Sequence, residues 1–199
     1  MNVEPTALPE VLRITPRVFY DDRGRFQELW NHERYAQAGL PVCFVQDNLS
    51  WSRPGVLRGL HFQNPAAQGK LVMVLSGAIF DVAVDVRIGS PTYGQWVGEH
   101  LSSENSLQLF IPQGFAHGFA VLGDQPALVA YKCTHPYRPD CERALVWNDA
   151  DLAIAWPDEV VEPILNPKDR AASTLRQLER SPGALPQYDA SPVRQVRSA

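Results

Sequence analysis

The chain has 199 residues, 45% of them hydrophobic and 20% charged, with five Trp, six Tyr and eight Phe, which supplies apolar surface for one sizeable core and excludes general disorder. A formal net charge of -4 excludes non-specific nucleic-acid binding, which depends on neutralising phosphates with Lys and Arg, so an anionic ligand needs a local basic cluster. The opening MNVEPTALPEVLRI carries acids and prolines where a secretory signal needs a basic start and an apolar run, and no segment reaches membrane-spanning length; the expected setting is the cytoplasm, with no membrane partner.

In chain order, short runs rich in Val, Ile, Phe and Leu, separated by Gly, Pro, Asn or Ser, predict strands at 11–19, 25–30, 43–51, 70–75, 78–86, 95–101, 106–111, 117–122 and 128–134. That spacing is the pattern of an all-β sandwich or barrel. Helices are expected only at 32–38 and, more clearly, at 171–180. One domain over 1–180 is expected, followed by a Pro-, Ser- and Ala-rich tail at 181–199 that is loosely held. Strict alternation in 80–86 puts Phe80, Val82, Val84 and Val86 on one face and Asp81, Ala83 and Asp85 on the other. Two unpaired carboxylates are costly in a core, so the Asp face meets water, a partner or a ligand cavity, and a solvated sheet face is the simplest reading. Cys43, Cys133 and Cys141 are odd in number and lack CxxC spacing; buried, reduced thiols are expected.

Three segments concentrate groups that can do chemistry. In LRGLHFQ at 57–63 an extended chain would send Arg58 and His61 to opposite faces, so bringing them together needs a bulge or turn near Gly59. Taken alone, His61 reads first as a satisfied core residue. In IPQGFAHGF at 111–119 a Pro-Gly turn delivers His117 to the start of a strand, a pattern that resembles the second motif of the cupin superfamily. Metal-binding cupins also carry a pair of His one residue apart and a following Glu, whereas here His61 is followed by Phe62 and Gln63; no metal is expected, since a catalytic metal usually keeps three protein ligands. In AYKCTHPY at 130–137 only one of Tyr131 and Lys132 can face inward. A tyrosine at the core edge, bonded to a carbonyl, is the plain alternative to a catalytic one. Asp169 similarly reads as a cap of the last helix as readily as a catalytic carboxylate.

Taken together the segments resemble the dTDP-4-dehydrorhamnose 3,5-epimerase family, over about 11–169. The likeness rests on DDRGRFQE at 21–28, FVQDN at 44–48, VLRGLHFQ at 56–63, QGKLV at 68–72, FDVAVDVR at 80–87, SPTYGQW at 90–96, IPQGFAHGF at 111–119, YKC at 131–133 and the Lys168–Asp169 pair. The resemblance implies a cupin-type jelly-roll β-barrel with a few short peripheral helices, a homodimer, a dTDP-4-keto-6-deoxyhexose substrate and no cofactor. It implies His61 as base, Tyr131 as acid across the ring, Asp169 as carboxylate partner of the base, and Lys70 as a cation near the enolate oxygen. It further implies substrate contacts from Arg23, Glu28, Gln46, Asp47, Asn48, Arg58, His117, Tyr137, Glu142 and Lys168, with Tyr137 stacking on thymine and part of the site drawn from the partner subunit. Pro136 and the Asn166-Pro167 pair depart from the residues common in relatives, near the nucleotide rather than the proton-transfer groups. Three other readings fit the same residues: an epimerase acting at one carbon only, a metal-dependent cupin oxygenase or isomerase using His61 and His117, and a non-catalytic sugar-nucleotide binding module.

Overall fold

Alternating strand sequences of this kind bury one face and need a second sheet to cover it. The computed structural model describes residues 1–40 and 43–189. Its strands are β1 (Asn2–Pro5), β2 (Leu12–Thr15), β3 (Val18–Asp21), β4 (Gly24–Gln27), β5 (Gln46–Ser52), β6 (Leu57–Gln63) and β7 (Lys70–Ser76). There follow β8 (Ala78–Asp85), β9 (Trp96–Ser102), β10 (Gln108–Ile111), β11 (Phe115–Leu122), β12 (Ala127–Cys133) and β13 (Glu142–Ala144). One sheet has the order β1-β2-β10-β7-β12-β5, the other β13-β6-β11-β8-β9, and β3-β4 forms a separate hairpin. This is the expected all-β jelly-roll architecture, and the jumps in strand order are the crossings between its two sheets.

The predicted strand at 11–19 divides at Pro16, whose missing N–H interrupts pairing. The inner strand β6 and the edge strands β1 and β13 were not among the predicted strands; β1 is largely exposed and so lacks an apolar signature. Between the sheets packs a core that includes Val72, Ile79, Leu109, Phe115, Phe119 and Val129. Helix α1 (His32–Gln37), capped by Asn31, covers the outer face of the first sheet through Tyr35, Leu71 and Phe110. The outer face of the second sheet, with Phe80, Val82, Val84 and Val86, is covered by Leu152, Leu175, Leu178 and Leu185 from the C-terminal part.

The solvated reading of the Asp face is therefore wrong. Phe80, Val82, Val84 and Val86 face outward under the C-terminal cover, and Asp81 and Asp85 point inward at 0% exposure. Each is paired there: Asp85 accepts from Arg87, Ser90 and Thr92, and Asp81 from His117. Cys133 and Cys141 are buried as expected, but Cys43 is exposed.

The predicted helix at 171–180 is present only as α3 (Leu175–Glu179); an unexpected one-turn α2 (Pro167–Arg170) precedes it, and in the extended link between them Ser173 bridges Leu145. Asn166 caps α2, and Thr174 caps α3 through a capping box with Gln177, so Asp169 caps neither. The chain stays packed beyond 180. Leu185 is buried, the Tyr188 N–H donates to the Ile88 carbonyl, and Arg87 lies over the Tyr188 ring. Of the tail expected at 181–199, residues 190–199 lie outside the described residues. Among the described residues no helix is long and apolar enough to cross a membrane.

Candidate active site

The bulge expected near Gly59 is present. Opposite β11, His61 pairs with His117 and Arg58 with Phe119, so three steps along β6 match two along β11, which turns Arg58 and His61 toward one side. Only a glycine fits the crossing, because a Cβ on Gly59 would lie 2.7 Å from both the Gly118 Cα and the His117 carbonyl oxygen. Gly118 on the facing strand is equally tight, its added Cβ falling 2.6 Å from the Arg58 carbonyl oxygen.

The bulge opens onto a cavity of about 390 Å³ between the sheets. His61 and Arg58 line it from β6 and His117 from β11; Lys70 faces them from β7, and Tyr131, Gln46 and Asn48 from β12 and β5. His61 and Tyr131 thus belong to opposed sheets and share one cavity, the arrangement that proton transfer at two faces of a ring requires. Tyr131, rather than Lys132, is the inward residue of its pair.

Electrostatics differentiate the walls. Asp169, 0% exposed, places Oδ1 2.5 Å from His61 Nε2 and accepts the Gly59 N–H on Oδ2 at 3.1 Å. Burial works against its ionisation, but the His61 hydrogen bond and charge, with the Gly59 N–H and Lys168, outweigh it and hold the carboxyl below its ordinary range. With Nε2–H committed to that carboxylate, Nδ1 is the nitrogen left to accept a proton. Burial pushes the Tyr131 phenol up, which keeps it protonated. Burial pushes the Lys70 ammonium down; its Nζ donates to the His61 carbonyl oxygen at 3.3 Å. Burial also holds the His117 imidazole below its ordinary value despite the Asp81 carboxylate 2.6 Å away.

At the rim, side chains hold one another in place. The Tyr137 N–H donates to Gln46 Oε1, Gln46 Nε2 to Asn48 Oδ1, and Asn48 Nδ2 to Cys133 Sγ. The Tyr137 hydroxyl donates to Glu142, which also pairs with Lys168. Arg58 donates Nε to Ser52 Oγ at 3.0 Å, with its guanidinium at the mouth.

Four expected contacts do not line the cavity of this chain: Lys168 pairs with Glu142 at its rim, and the other three face elsewhere. Asp47 alternates with Gln46 and Asn48, so it faces out and pairs with Lys132 at 2.7 Å. Arg23 sits at the turn of the β3–β4 hairpin, paired with Asp21 at 2.6 Å, and Glu28 pairs with Arg34 at 2.9 Å. Conversely, the sequence reading missed Ser50 and Gln63, which line the cavity, and Asn166, which lines it while capping α2. Strand alternation from Asn48 and from His61 carries the signal for the first two. It missed Asp81 as the partner of His117, although the inward Asp face was the clue. Among the described residues no three His, Cys, Asp or Glu side chains gather as metal ligands.

Known proteins are similar to this chain in sequence and fold. The profile of the family described as dTDP-4-dehydrorhamnose 3,5-epimerase matches residues 5–177. A dTDP-4-dehydrorhamnose 3,5-epimerase of Pseudomonas aeruginosa is 51% identical over 92% of this chain and 100% of its own. One of Neisseria gonorrhoeae is 51% identical over 91% of this chain, which spans 55% of that longer protein. The crystal structure of a Legionella pneumophila dTDP-6-deoxy-D-glucose-3,5-epimerase in complex with dTDP-4-keto-L-rhamnose superposes with a TM-score of 0.89 at 49% identity, covering 95% of this chain and 99% of that one. With the fold, the ordered motifs and nearly the whole length in agreement, the chain belongs to the dTDP-4-dehydrorhamnose 3,5-epimerase family.

Proposed function

We propose that the protein is an isomerase that inverts carbons 3 and 5 of dTDP-4-dehydro-6-deoxy-D-glucose, giving dTDP-4-dehydro-L-rhamnose. The observation that carries this reading is the carboxylate-backed His61 and the partly buried Tyr131 facing one cavity from opposite sheets. The hydrogens at carbons 3 and 5 lie alpha to the 4-ketone, so each can leave as a proton and the electrons delocalise into an enolate. His61 takes the proton through Nδ1 while Asp169 stabilises the imidazolium. Lys70 supplies positive charge for the enolate oxygen inside a closed, low-dielectric wall. Tyr131 returns a proton from the other face, and the carbon is inverted. No redox step occurs and no cofactor is required.

His117 is read differently from a donor. With Nε2–H on Asp81 and burial favouring the neutral ring, Nδ1 presents a lone pair, suited to accept from a sugar hydroxyl. Arg58 engages diphosphate oxygens with paired donors, and the exposed Tyr137 ring stacks on the thymine. A second copy of the chain supplies Arg23 and Glu28, which fit the substrate but lie away from this chain's cavity. A reducing cytoplasm suits three free cysteines.

Incubation with dTDP-4-keto-6-deoxyglucose in deuterated water tests the reading. Deuterium at both carbons 3 and 5 is expected; label at one carbon alone makes the protein a single-carbon epimerase, and none at either ends the proposal.

A further inference from the structure

Helix α2 is tied on two sides. Its third residue, Asp169, reaches inward to His61 and to the Gly59 N–H. Lys168, about 100° around the helix, is half-exposed and pairs with Glu142 at the rim. Glu142 in turn accepts the Tyr137 hydroxyl at 2.5 Å, and it sits on β13 opposite Gln63, two residues past His61. The helix is only four residues long, begins with Pro167, and has the Asp169 N–H bonded to Asn166 Oδ1 at 2.7 Å. Neighbouring residues of so short and so constrained a turn do not move independently.

We propose that Glu142 and Lys168 are positioning residues that couple the nucleotide-facing rim to the general base, with Tyr137, Glu142, Lys168 and Asp169 forming one connection to His61. The inference rests on reading the cavity as the epimerase site and deepens it. A base seated against Tyr137 then steadies Glu142 and Lys168, which hold α2 and keep Asp169 behind His61. Binding energy collected at the nucleotide, remote from the reacting carbons, is expressed in turnover rather than only in affinity. A rim that merely binds would act on KM alone.

The test measures kcat, KM and dTDP affinity for Lys168→Met, Lys168→Arg, Glu142→Gln, Tyr137→Phe and the Lys168→Met/Tyr137→Phe pair. Lys168→Met is expected to lower kcat about tenfold and more than it weakens dTDP, with Lys168→Arg restoring kcat to within about twofold. The double variant is expected to be no slower than Lys168→Met alone, because both changes cut the same connection. Glu142→Gln keeps the shape of the hub and reads the connection independently should Lys168→Met fold poorly. Losses confined to KM and dTDP affinity, with kcat unchanged in Lys168→Met and Glu142→Gln, would overturn the inference. Wild-type protein that exchanges no deuterium would instead overturn the epimerase reading, so the two failures are distinguishable.

Discussion

In the proposed mechanism two side chains set the chemistry, and the loss of each is expected to show in a different way. His61→Asn takes away the proton acceptor while keeping a polar group beside Asp169; exchange should fall on the order of 10²- to 10⁴-fold with dTDP binding intact, checked by deuterium uptake and calorimetry. Tyr131→Phe leaves His61 able to remove a proton and return it to the same face. That variant should still take up deuterium but form almost no inverted product, and parallel loss of uptake and inversion would argue against separate acid and base. The pH profile follows from the environments. Asp169, held against the opposing effect of burial below its ordinary carboxylate range by the His61 hydrogen bond and charge, stays ionised well into the acid range, so its support of His61 should be lost from kcat only as pH falls through that lowered value. Tyr131, pushed by burial above the ordinary phenol value of 10.0, keeps its proton past that pH, and the alkaline plateau of kcat should extend correspondingly. At this scale the residues proposed to transfer protons were legible only through the ordered segments that carry the family resemblance, since His61, Tyr131 and Asp169 each read alone as a core or capping residue. Asp81 was not, since alternation reports which residues share a face and says nothing of which face is inside.

Elements place those groups, and β6 does so through its bulge. Gly59 has φ +113° and its added Cβ would collide with two backbone atoms of β11, which cannot swing aside as a side chain would. Gly59→Ala should cost about 2–4 kcal/mol, lowering Tm by roughly 5–15 °C for a chain of this size, and reduce kcat by separating Arg58 from His61. Gly89→Ala is the control: φ is +86° with open space around it, so only the conformational cost of about 1–2 kcal/mol should appear in its melting curve. The need for irregularity at Gly59 could be read in the sequence from the three-residue spacing of Arg58 and His61. Most strands with one buried face were legible, although β6 escaped because its bulge breaks the alternation, and Pro16 marks the break that divides β2 from β3. The edge strands β1 and β13 were not, because a strand paired on one side and exposed on the other needs no apolar period. The short α2 escaped for a related reason: one turn is too little sequence for helical periodicity, and Asn166-Pro167 were its only signals.

On the scale of the whole molecule, the cavity of one chain lacks Arg23 and Glu28, while apolar surface remains outside. Phe19, Tyr20 and Phe26 of the β3–β4 hairpin are 47%, 72% and 70% exposed, and Leu49 and Trp51 on the edge strand β5 are 63% and 61% exposed. A hairpin unpaired to either sheet, with Arg23 at its turn, and an edge strand β5 bonded on one side only suit the proposed two-fold dimer in which each copy completes the other's site. Two variants test this together. Arg23→Ala should raise KM through weaker diphosphate contact with little change in Tm, since its ion pair to Asp21 lies exposed at the surface. His61→Asn should lose turnover for a different reason, the missing proton acceptor. When the two are unfolded and refolded as an equal mixture, half the dimers should be mixed, each with one site that combines an intact His61 and an intact Arg23. At substrate levels too low for Arg23→Ala to turn over, about a quarter of wild-type activity should return. If Arg23 serves the cavity of its own chain, every site in the mixture carries one defect or is wholly parental, and no activity beyond the average of the two parents will appear.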